Sequence, residues 1–297
     1  MKTHRAKRIG MAEKVFLNDK LLDVNEAAVS VTDTGLLYGA GLFETMRSRQ
    51  GTVFRLRDHL DRLFLSAATL SIAHSYEKEF VSEAVRRVLQ ANELTEARIR
   101  VTLTNGPLTE AEGRRQPTLL ITATRLQPYP PDYYKAGVMV VLCPFRQNVT
   151  DPTCGHKTTS YYPRLLALNF AKQRRAAEAL WFTTDNRLAE GCVSNVFLVK
   201  DSVLYTPPAE TPVLPGIARK AVLELAREQA VESAEKDLVI NDLLDADEVF
   251  LTNVIMEVLP VVAVEKSVIG DGTVGRVTRK LREGFLATVE RECGRQA

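Results

Sequence analysis

A cluster of prolines near the middle of the chain most constrains how it folds. Residues 127–132 read Gln-Pro-Tyr-Pro-Pro-Asp, with three prolines in six positions. Proline lacks the amide hydrogen that helix interiors and sheet ladders need, so neither element is expected to run through this stretch. We therefore predict a small N-terminal domain over 14–127, a connection over 128–134 and a larger C-terminal domain over 135–297.

Both predicted domains mix helices and strands. Apolar residues three and four positions apart predict amphipathic helices over 57–70, 80–90, 165–177 and 218–229. Short runs rich in β-branched residues predict strands at 15–18, 98–104, 118–124, 138–142, 179–183, 195–199, 248–252 and 260–264. The sequence contains no internal repeat, so we expect an α+β fold rather than a solenoid.

Charge and cysteine content narrow the class of function. The formal net charge of +2 gives no strong field for nucleic acid or anionic lipid, and the basic residues of the N-terminal arm, residues 1–13, lack interleaved aromatics. Four scattered cysteines without a Cys-x-x-Cys pair argue against a zinc site or a disulfide framework. No segment resembles a signal peptide or membrane span. We expect a cytoplasmic protein without metal, nucleic-acid or membrane partners.

Two residues are candidates for chemistry. Lys157 lies in His-Lys-Thr-Thr-Ser-Tyr at 156–161, between a turn and a predicted helix. A lone lysine is usually a surface residue, but a desolvated amine with a lowered pKa attacks carbonyl groups. Glu190 stands just before a predicted strand. A carboxylate in this position is typical of a β-turn. Alternatively, it is the acceptor that a protonated pyridine nitrogen requires.

Further segments have features of anion sites. Gly216 precedes a predicted helix, so the amides of Ile217 and Ala218 are able to face an anion, although most helix starts bind only water. Arg62 can reach a phosphate or form a surface ion pair. Residues 38–44 contain two glycines but lack the third of a dinucleotide fingerprint, which argues against a Rossmann site.

In chain order these segments resemble the class IV aminotransferases. These are the fold-type IV enzymes of pyridoxal 5′-phosphate (PLP), and they include branched-chain aminotransferase, D-amino acid aminotransferase and 4-amino-4-deoxychorismate lyase. The matches are Tyr-Gly-x-Gly-x-Phe-Glu at 38–44, His-Leu-x-Arg-Leu at 59–63, Lys-Thr-x-x-Tyr at 157–161, Glu-Gly-x-x-Ser-Asn-x-Phe at 190–197, Leu-Pro-Gly-Ile at 214–217, and Leu-Thr-Asn with Pro-Val at 251–261. The resemblance implies a two-domain fold, PLP as cofactor and a homodimer whose second subunit completes each substrate pocket.

The resemblance also implies roles for individual residues. Lys157 would hold PLP as a Schiff base, Glu190 would pair with the ring nitrogen, and Tyr161 would lie near the phenolic oxygen. Arg62 would bind the phosphate. The other implied cofactor contacts are Ser194, Asn195, Gly216, Ile217, Ala218, Asn253 and Val254, and the implied pocket residues are Tyr38, Phe43, Arg100 and Asn105. Because the family usually carries hydroxyl residues at positions 218 and 254, we expect weakened PLP retention.

The implied reaction moves an amino group between an amino acid and a 2-oxo acid. Two alternatives stay open: the lyase of the same family, which releases pyruvate from 4-amino-4-deoxychorismate, and a PLP-binding relative without turnover. Phe-Glu-Thr at 43–45 favours the lyase. Asn105 stands where the lyase usually has an arginine, and this substitution favours an aminotransferase. We predict an aminotransferase.

Overall fold

A computed structural model describes residues 13–108 and 116–294, which fall into two compact units. The first unit ends at Gln127 and takes in Cys293 near the end of the chain, and the second is Pro128–Glu292. The basic arm predicted over 1–13 lies outside the described residues, apart from Glu13.

The first unit is built on a six-stranded antiparallel sheet. Its strands are β1 (Lys14–Leu17), β2 (Lys20–Asp23), β3 (Gly41–Arg49), β4 (Thr52–Val53), β5 (Ala97–Thr104) and β6 (Leu119–Arg125), in the order β2-β1-β6-β5-β3-β4. Its helices are α1 (Thr34–Tyr38), α2 (Leu56–Thr69) and α3 (Lys78–Ala91). The predicted helices and strands of this region are confirmed.

The core of the first unit lies between the sheet and helices α2 and α3. Each helix buries one face, whose residues are His59, Leu60, Leu63, Ser66 and Ala67 in α2 and Val81, Ala84, Val85, Val88 and Leu89 in α3. Side chains alternate along a strand, so β5 buries Ile99 and Val101 while Arg100 faces the other way. This burial on one face explains why the sequence periodicity predicts these elements.

The second unit is built on a mixed sheet. Its strands are β7 (Val138–Gln147), β8 (Glu178–Thr183), β9 (Leu188–Gly191), β10 (Asn195–Lys200), β11 (Val203–Thr206), β12 (Ser233–Glu235), β13 (Glu248–Asn253), β14 (Glu257–Val264) and β15 (Ser267–Val268). The order is β12-β11-β10-β13-β14-β7-β8-β9, with β15 beside β14. Three pairs, β11–β12, β14–β7 and β7–β8, are parallel.

The helices of the second unit are α4 (Pro131–Ala136), α5 (Tyr162–Gln173), α6 (Ile217–Glu228), α7 (Ile240–Leu244) and α8 (Arg276–Cys293). Helices α5 and α6 confirm the two predicted in this region, and the α+β fold class is confirmed. Among the described helices, none has both the length and the apolar character needed to cross a membrane.

Some elements differ from what the sequence patterns predict. Strand β3 has no alternating pattern because nearly all its residues are buried, on both faces. Helix α4 occupies part of the predicted connection, with Pro131 in its first turn. A proline there loses no hydrogen bond, since the first amides of a helix have no acceptor within it.

Candidate active site

Lys157 lies on the loop between β7 and α5. The loop turns at Gly155, whose φ of 79° is a left-handed conformation that glycine adopts at little cost. Tyr161 is the residue immediately before α5, and the Lys157 Nζ lies 5.6 Å from the centre of the Tyr161 ring. The structure therefore brings together the lysine and the tyrosine that the sequence predicts to act at a cofactor.

Glu190 lies on β9 and is only 6% exposed. Its Oε1 accepts a 2.6 Å hydrogen bond from Arg164 Nη2, and its Oε2 accepts one of 3.0 Å from the Leu214 amide. A carboxylate has about four lone-pair positions. Two donors therefore leave Glu190 able to accept another, such as a protonated ring nitrogen.

Arg164 is a polar residue of this region that the sequence patterns do not predict. Besides Glu190, its guanidinium donates to Gln147 Oε1 at 2.8 Å and to the Gly191 carbonyl at 2.9 Å. Burial alone lowers the pKa of Arg164, but nearby groups, with the Glu190 carboxylate first among them, together outweigh burial and raise it. The sequence contains one indication of this role. Arg164 follows Tyr161 by three positions, and residues three apart on a helix share a face.

The Tyr161 hydroxyl contacts the turn at residues 191–194, which follows Glu190 and which we call the 191–194 turn. The hydroxyl donates a 2.7 Å hydrogen bond to the Cys192 carbonyl. Burial holds the pKa of Tyr161 well above its ordinary value, although nearby Arg164 opposes this effect. The phenol is therefore neutral at physiological pH and is a hydrogen-bond donor.

The start of α6 has the features of a phosphate site. The Asn195 side-chain amide donates to the Leu214 carbonyl at 2.8 Å, which fixes the Asn195 side chain. A Cβ added at Gly216 would lie 2.0 Å from Asn195 Oδ1, so only glycine fits there. The Ile217 and Ala218 amides are in the first helical turn and have no acceptor within the helix.

The other implied cofactor contacts that have polar side chains, Asn253 and Ser194, form hydrogen bonds with other groups of the protein. Asn253 Nδ2 donates to the Val193 carbonyl at 2.9 Å, and its Oδ1 accepts from the amides of Ile255 and Met256 at 2.8 Å each. The Ser194 hydroxyl donates to Glu178 on β8 at 3.1 Å. Ala218 and Val254 are both buried, and neither supplies a hydroxyl.

Arg62 forms a buried ion cluster within the first unit. Its Nε and Nη2 donate to the two carboxylate oxygens of Glu44 at 2.7 Å and 2.6 Å, and His59 Nδ1 lies 2.8 Å from Glu44 Oε2. Burial alone raises the pKa of Glu44, but Arg62 and His59 outweigh burial and hold it at about 2. Because two of its donors bind Glu44, the phosphate contact of Arg62 stays a prediction.

The four predicted pocket residues also lie in the first unit. The Arg100 guanidinium carbon lies 3.7 Å from the centre of the Phe43 ring, and its Nε donates to the Thr102 hydroxyl at 3.1 Å. Tyr38 is 68% exposed. The Asn105 Oδ1 is buried, and no described residue donates a hydrogen bond to it.

Sequence comparisons identify the family. The family model described as amino-transferase class IV matches residues 41–264. A provisionally named branched-chain-amino-acid aminotransferase of Methanocaldococcus jannaschii is 36% identical over 278 residues, covering 92% of this chain and 95% of that protein. D-alanine aminotransferase of Staphylococcus haemolyticus is 29% identical, covering 93% of this chain and 98% of that protein. The chain therefore belongs to the class IV aminotransferases.

Solved structures agree with this result. The branched-chain aminotransferase of Escherichia coli has a TM-score of 0.87 at 29% identity and covers 93% of this chain and 94% of its own. That of Thermoproteus uzoniensis, solved with norvaline, has a TM-score of 0.85 at 29% identity, covering 95% and 96%. A provisionally named 4-amino-4-deoxychorismate lyase of Legionella pneumophila has a TM-score of 0.80 at 25% identity, covering 89% and 96%. The fold is thus fold-type IV.

As a member of this family, the chain is a PLP-dependent transaminase. Another branched-chain aminotransferase, with a TM-score of 0.88 at 27% identity, was solved with pyridoxamine 5′-phosphate. The second unit of this chain has groups that suit the cofactor: an amine at Lys157, spare acceptor capacity at Glu190, and two helix-start amides behind Gly216. Across residues 13–108 and 116–294, no group of three or more His, Cys, Asp or Glu side chains is arranged to hold a metal ion.

Proposed function

We propose that the chain moves an amino group between an amino acid and a 2-oxo acid, and that Lys157 carries PLP and transfers the proton. The observation that supports this proposal is the arrangement within the second unit. Lys157 lies beside Tyr161, and the Tyr161 hydroxyl and Arg164 both bind the turn that follows Glu190. An amine, a phenol and a carboxylate are thus held by one hydrogen-bonded structure.

Bound PLP supplies an aldehyde that accepts the substrate's amino group and a ring that accepts electrons. The Lys157 amine would hold the cofactor and, when free, would be the base that takes the proton from the substrate's α-carbon and the acid that gives it back. Glu190 would pair with the protonated ring nitrogen, and Arg164 holds the Glu190 carboxylate in position through a 2.6 Å hydrogen bond. Tyr161, whose hydroxyl proton is bound to the Cys192 carbonyl, would lie near the phenolic oxygen, and the amides of Ile217 and Ala218 would bind the phosphate.

Five further residues implied by the resemblance complete the proposal. Arg62, which binds Glu44, is proposed to bind the phosphate as well. Phe43 and Arg100 are proposed to line the substrate pocket. Ser194 and Asn253 are proposed to act through the turn that they hold. The expected consequence is that substitutions at these residues change PLP affinity or substrate KM more than they change proton transfer.

We also propose a homodimer with shared active sites. The first unit exposes apolar side chains near the predicted pocket residue Tyr38: Val31, Leu36, Leu37 and Leu108 are between 46% and 77% exposed. The Leu108 amide donates to the Thr32 carbonyl, so these residues belong to one part of the unit. Exposed apolar clusters commonly mark interfaces. Light scattering on the purified protein tests this, with Leu36→Asp expected to yield monomers.

The proposed location is the cytoplasm. Its support is that Cys143, Cys154, Cys192 and Cys293 are all free thiols and that three of them are buried. Free thiols persist in reducing compartments. Fluorescent tagging of the full chain in its host tests this location.

The reaction is tested by absorption spectroscopy of the PLP-loaded protein. L- and D-amino acids are added one at a time without an acceptor. The expected result is conversion of the bound cofactor from its pyridoxal to its pyridoxamine form by donors of one handedness. This result establishes transamination, the donor class and the handedness together, and Lys157→Ala is expected to abolish the conversion.

The lyase is the outcome that would contradict this proposal. A cofactor spectrum unchanged by every amino acid, together with pyruvate release from 4-amino-4-deoxychorismate, would assign the chain to the lyase branch. A spectrum unchanged by all of these compounds would indicate a relative that binds PLP without turnover.

A further inference from the structure

Glu178 is a buried carboxyl group with no role in the proposed mechanism. It begins β8 and is 0% exposed. Its Oε1 accepts a 2.8 Å hydrogen bond from the Cys192 amide, its Oε2 accepts one of 3.1 Å from the Ser194 hydroxyl, and the Val193 amide is a further donor. Among the described residues, no Lys, Arg or His forms an ion pair with Glu178. The 191–194 turn therefore supplies all of its described partners.

Burying a carboxyl group without a cation is unfavourable. Burial raises the pKa of Glu178, and the hydrogen bonds from the turn oppose this shift only in part. An apolar residue at the start of β8 would avoid this desolvation and would pack equally well in a sheet. The benefit of Glu178 must therefore come from the groups that it binds.

The backbone of the turn packs closely against Glu178. A Cβ added at Gly191 would lie 3.0 Å from Glu178 Cγ and 2.2 Å from Ser194 Oγ. The Gly191 amide donates to the Ser194 carbonyl at 2.8 Å and closes the turn. Only a glycine at position 191 allows the carboxyl group to approach the turn this closely.

The opposite side of the turn is held by residues of the proposed active site. Arg164 donates to the first of its carbonyls, Tyr161 to the second and Asn253 to the third. Glu178 accepts from the amides at positions 192 and 193. The carbonyls of the turn therefore face donors from the active site, while its amides require the acceptor that Glu178 provides.

We propose that Glu178 is a positioning residue, which fixes the 191–194 turn and thereby holds Glu190 and Tyr161 in place for PLP. This inference rests on the role of Glu190 given under the proposed function. Without the acceptor, two buried amides and one hydroxyl lose their partner. The turn then moves to find others, and the attached carboxylate and phenol contacts move with it.

The test compares three substitutions of Glu178. In Glu178→Gln, Oε1 can accept from the Cys192 amide while Nε2 donates to the Ser194 hydroxyl, so PLP affinity and the visible absorption band of bound PLP are expected to stay close to wild type. Glu178→Leu removes every acceptor, and PLP is expected to bind about tenfold more weakly or worse, with a shifted band. Glu178→Asp shortens the side chain by one methylene group, and its PLP affinity and absorption band are expected to lie between those of the other two variants. If the leucine variant does not fold, the aspartate and glutamine pair gives the same comparison.

Glu248→Leu is the matched control. Glu248, on β13, accepts from the amides of Val277 and Thr278 at 2.9 Å and 2.7 Å and holds the start of α8, away from the turn. Its loss is expected to lower the melting temperature while leaving the PLP band unchanged. The inference is overturned if Glu178→Leu and Glu178→Asp keep the wild-type band and affinity, or if Glu248→Leu changes them equally.

A separate variant distinguishes this inference from the proposed role of Glu190. If Glu190→Gln leaves the spectrum of bound PLP unchanged, the ring-nitrogen role itself is wrong. If Glu190→Gln changes the spectrum while Glu178→Leu does not, only the positioning role of Glu178 is refuted.

Discussion

Replacing Arg62 with alanine separates two roles for this arginine. The family resemblance implies that it binds the cofactor phosphate, whereas the structure shows it in a bidentate pair with Glu44, which is 1% exposed and also contacts His59. Removing one member of a buried ion pair leaves the other charge without compensation. Such losses destabilise proteins by about 3–5 kcal/mol.

The pKa of Glu44 reports the net effect of burial and of its partners Arg62 and His59 on the carboxylate. Its pKa falls from 4.5 to about 2 on folding, and at 1.36 kcal/mol per pKa unit this shift corresponds to roughly 3 kcal/mol. Because the folded pKa is lowered, this stabilisation is present above pH 4.5 and is lost as pH falls through about 2. The loss of about 3–5 kcal/mol from breaking the buried pair predicts that Arg62→Ala lowers the melting temperature by roughly 10 °C.

The assay is thermal unfolding of the PLP-free protein at neutral pH, so that cofactor binding makes no contribution. Arg86→Ala is the control, because Arg86 pairs with Glu83 on the surface of α3 and its loss should cost less than about 1 kcal/mol. Acid titration of the wild type should show part of its stability disappearing between pH 4.5 and about 2. If Arg62→Ala weakens PLP binding while the melting temperature of the PLP-free protein is unchanged, the structural role is refuted and Arg62 is a phosphate ligand alone.

Three further variants test the fold and the phosphate site. Gly216→Ala places a Cβ 2.0 Å from Asn195 Oδ1, so the start of α6 must shift, and equilibrium dialysis should show PLP affinity reduced by tenfold or more; an unchanged affinity would contradict the proposed phosphate site. Ala218→Ser combined with Val254→Thr restores two hydroxyls and should slow PLP loss by up to about tenfold; no change would mean that backbone amides suffice. Asp33 is fully buried and accepts hydrogen bonds from one amide and two threonine hydroxyls at 2.6–2.8 Å. Asp33→Ala should therefore destabilise the PLP-free protein by about 1–3 kcal/mol, measured by chemical denaturation. A smaller loss would show that water replaces the carboxylate as the acceptor.

The sequence predicts those parts of the fold in which burial is periodic. Helices α2, α3, α5 and α6 each bury one face, and β5 alternates, so their patterns are visible in one dimension. Strand β3 is buried on both faces and therefore has no pattern that distinguishes it from other apolar segments. Its burial depends on strand pairing and on α2, which packs against it, and neither is visible in the strand's own residues.

The site is predictable where a motif is local. Lys157, Tyr161, Glu190 and Gly216 lie in short motifs through which the sequence resembles the class IV aminotransferases. Glu178 has no such signal, because its partners follow it by 14 and 16 positions and its own segment resembles any buried strand. The same reasoning applies to Arg62, which reaches back 18 positions to Glu44. A motif identifies which residues occur together. It does not show which hydrogen-bond donors of those residues are already bound to other side chains of the protein.

Two buried carboxyl groups respond to burial in opposite ways, and the difference follows from their partners. Glu44 faces the Arg62 guanidinium and His59, which together hold its pKa at about 2 against the effect of burial. Glu178 faces backbone amides, a hydroxyl and the Cys192 thiol, all of them uncharged donors, and burial raises its pKa. A cationic partner lowers the pKa of a buried carboxyl group and so stabilises the folded protein at neutral pH. Neutral donors offset only part of the free-energy cost of removing the carboxylate from water. The first unit therefore uses Glu44 to fix α2 on the sheet, while the second unit keeps a less stable carboxyl group at the 191–194 turn, where backbone amides have to be held.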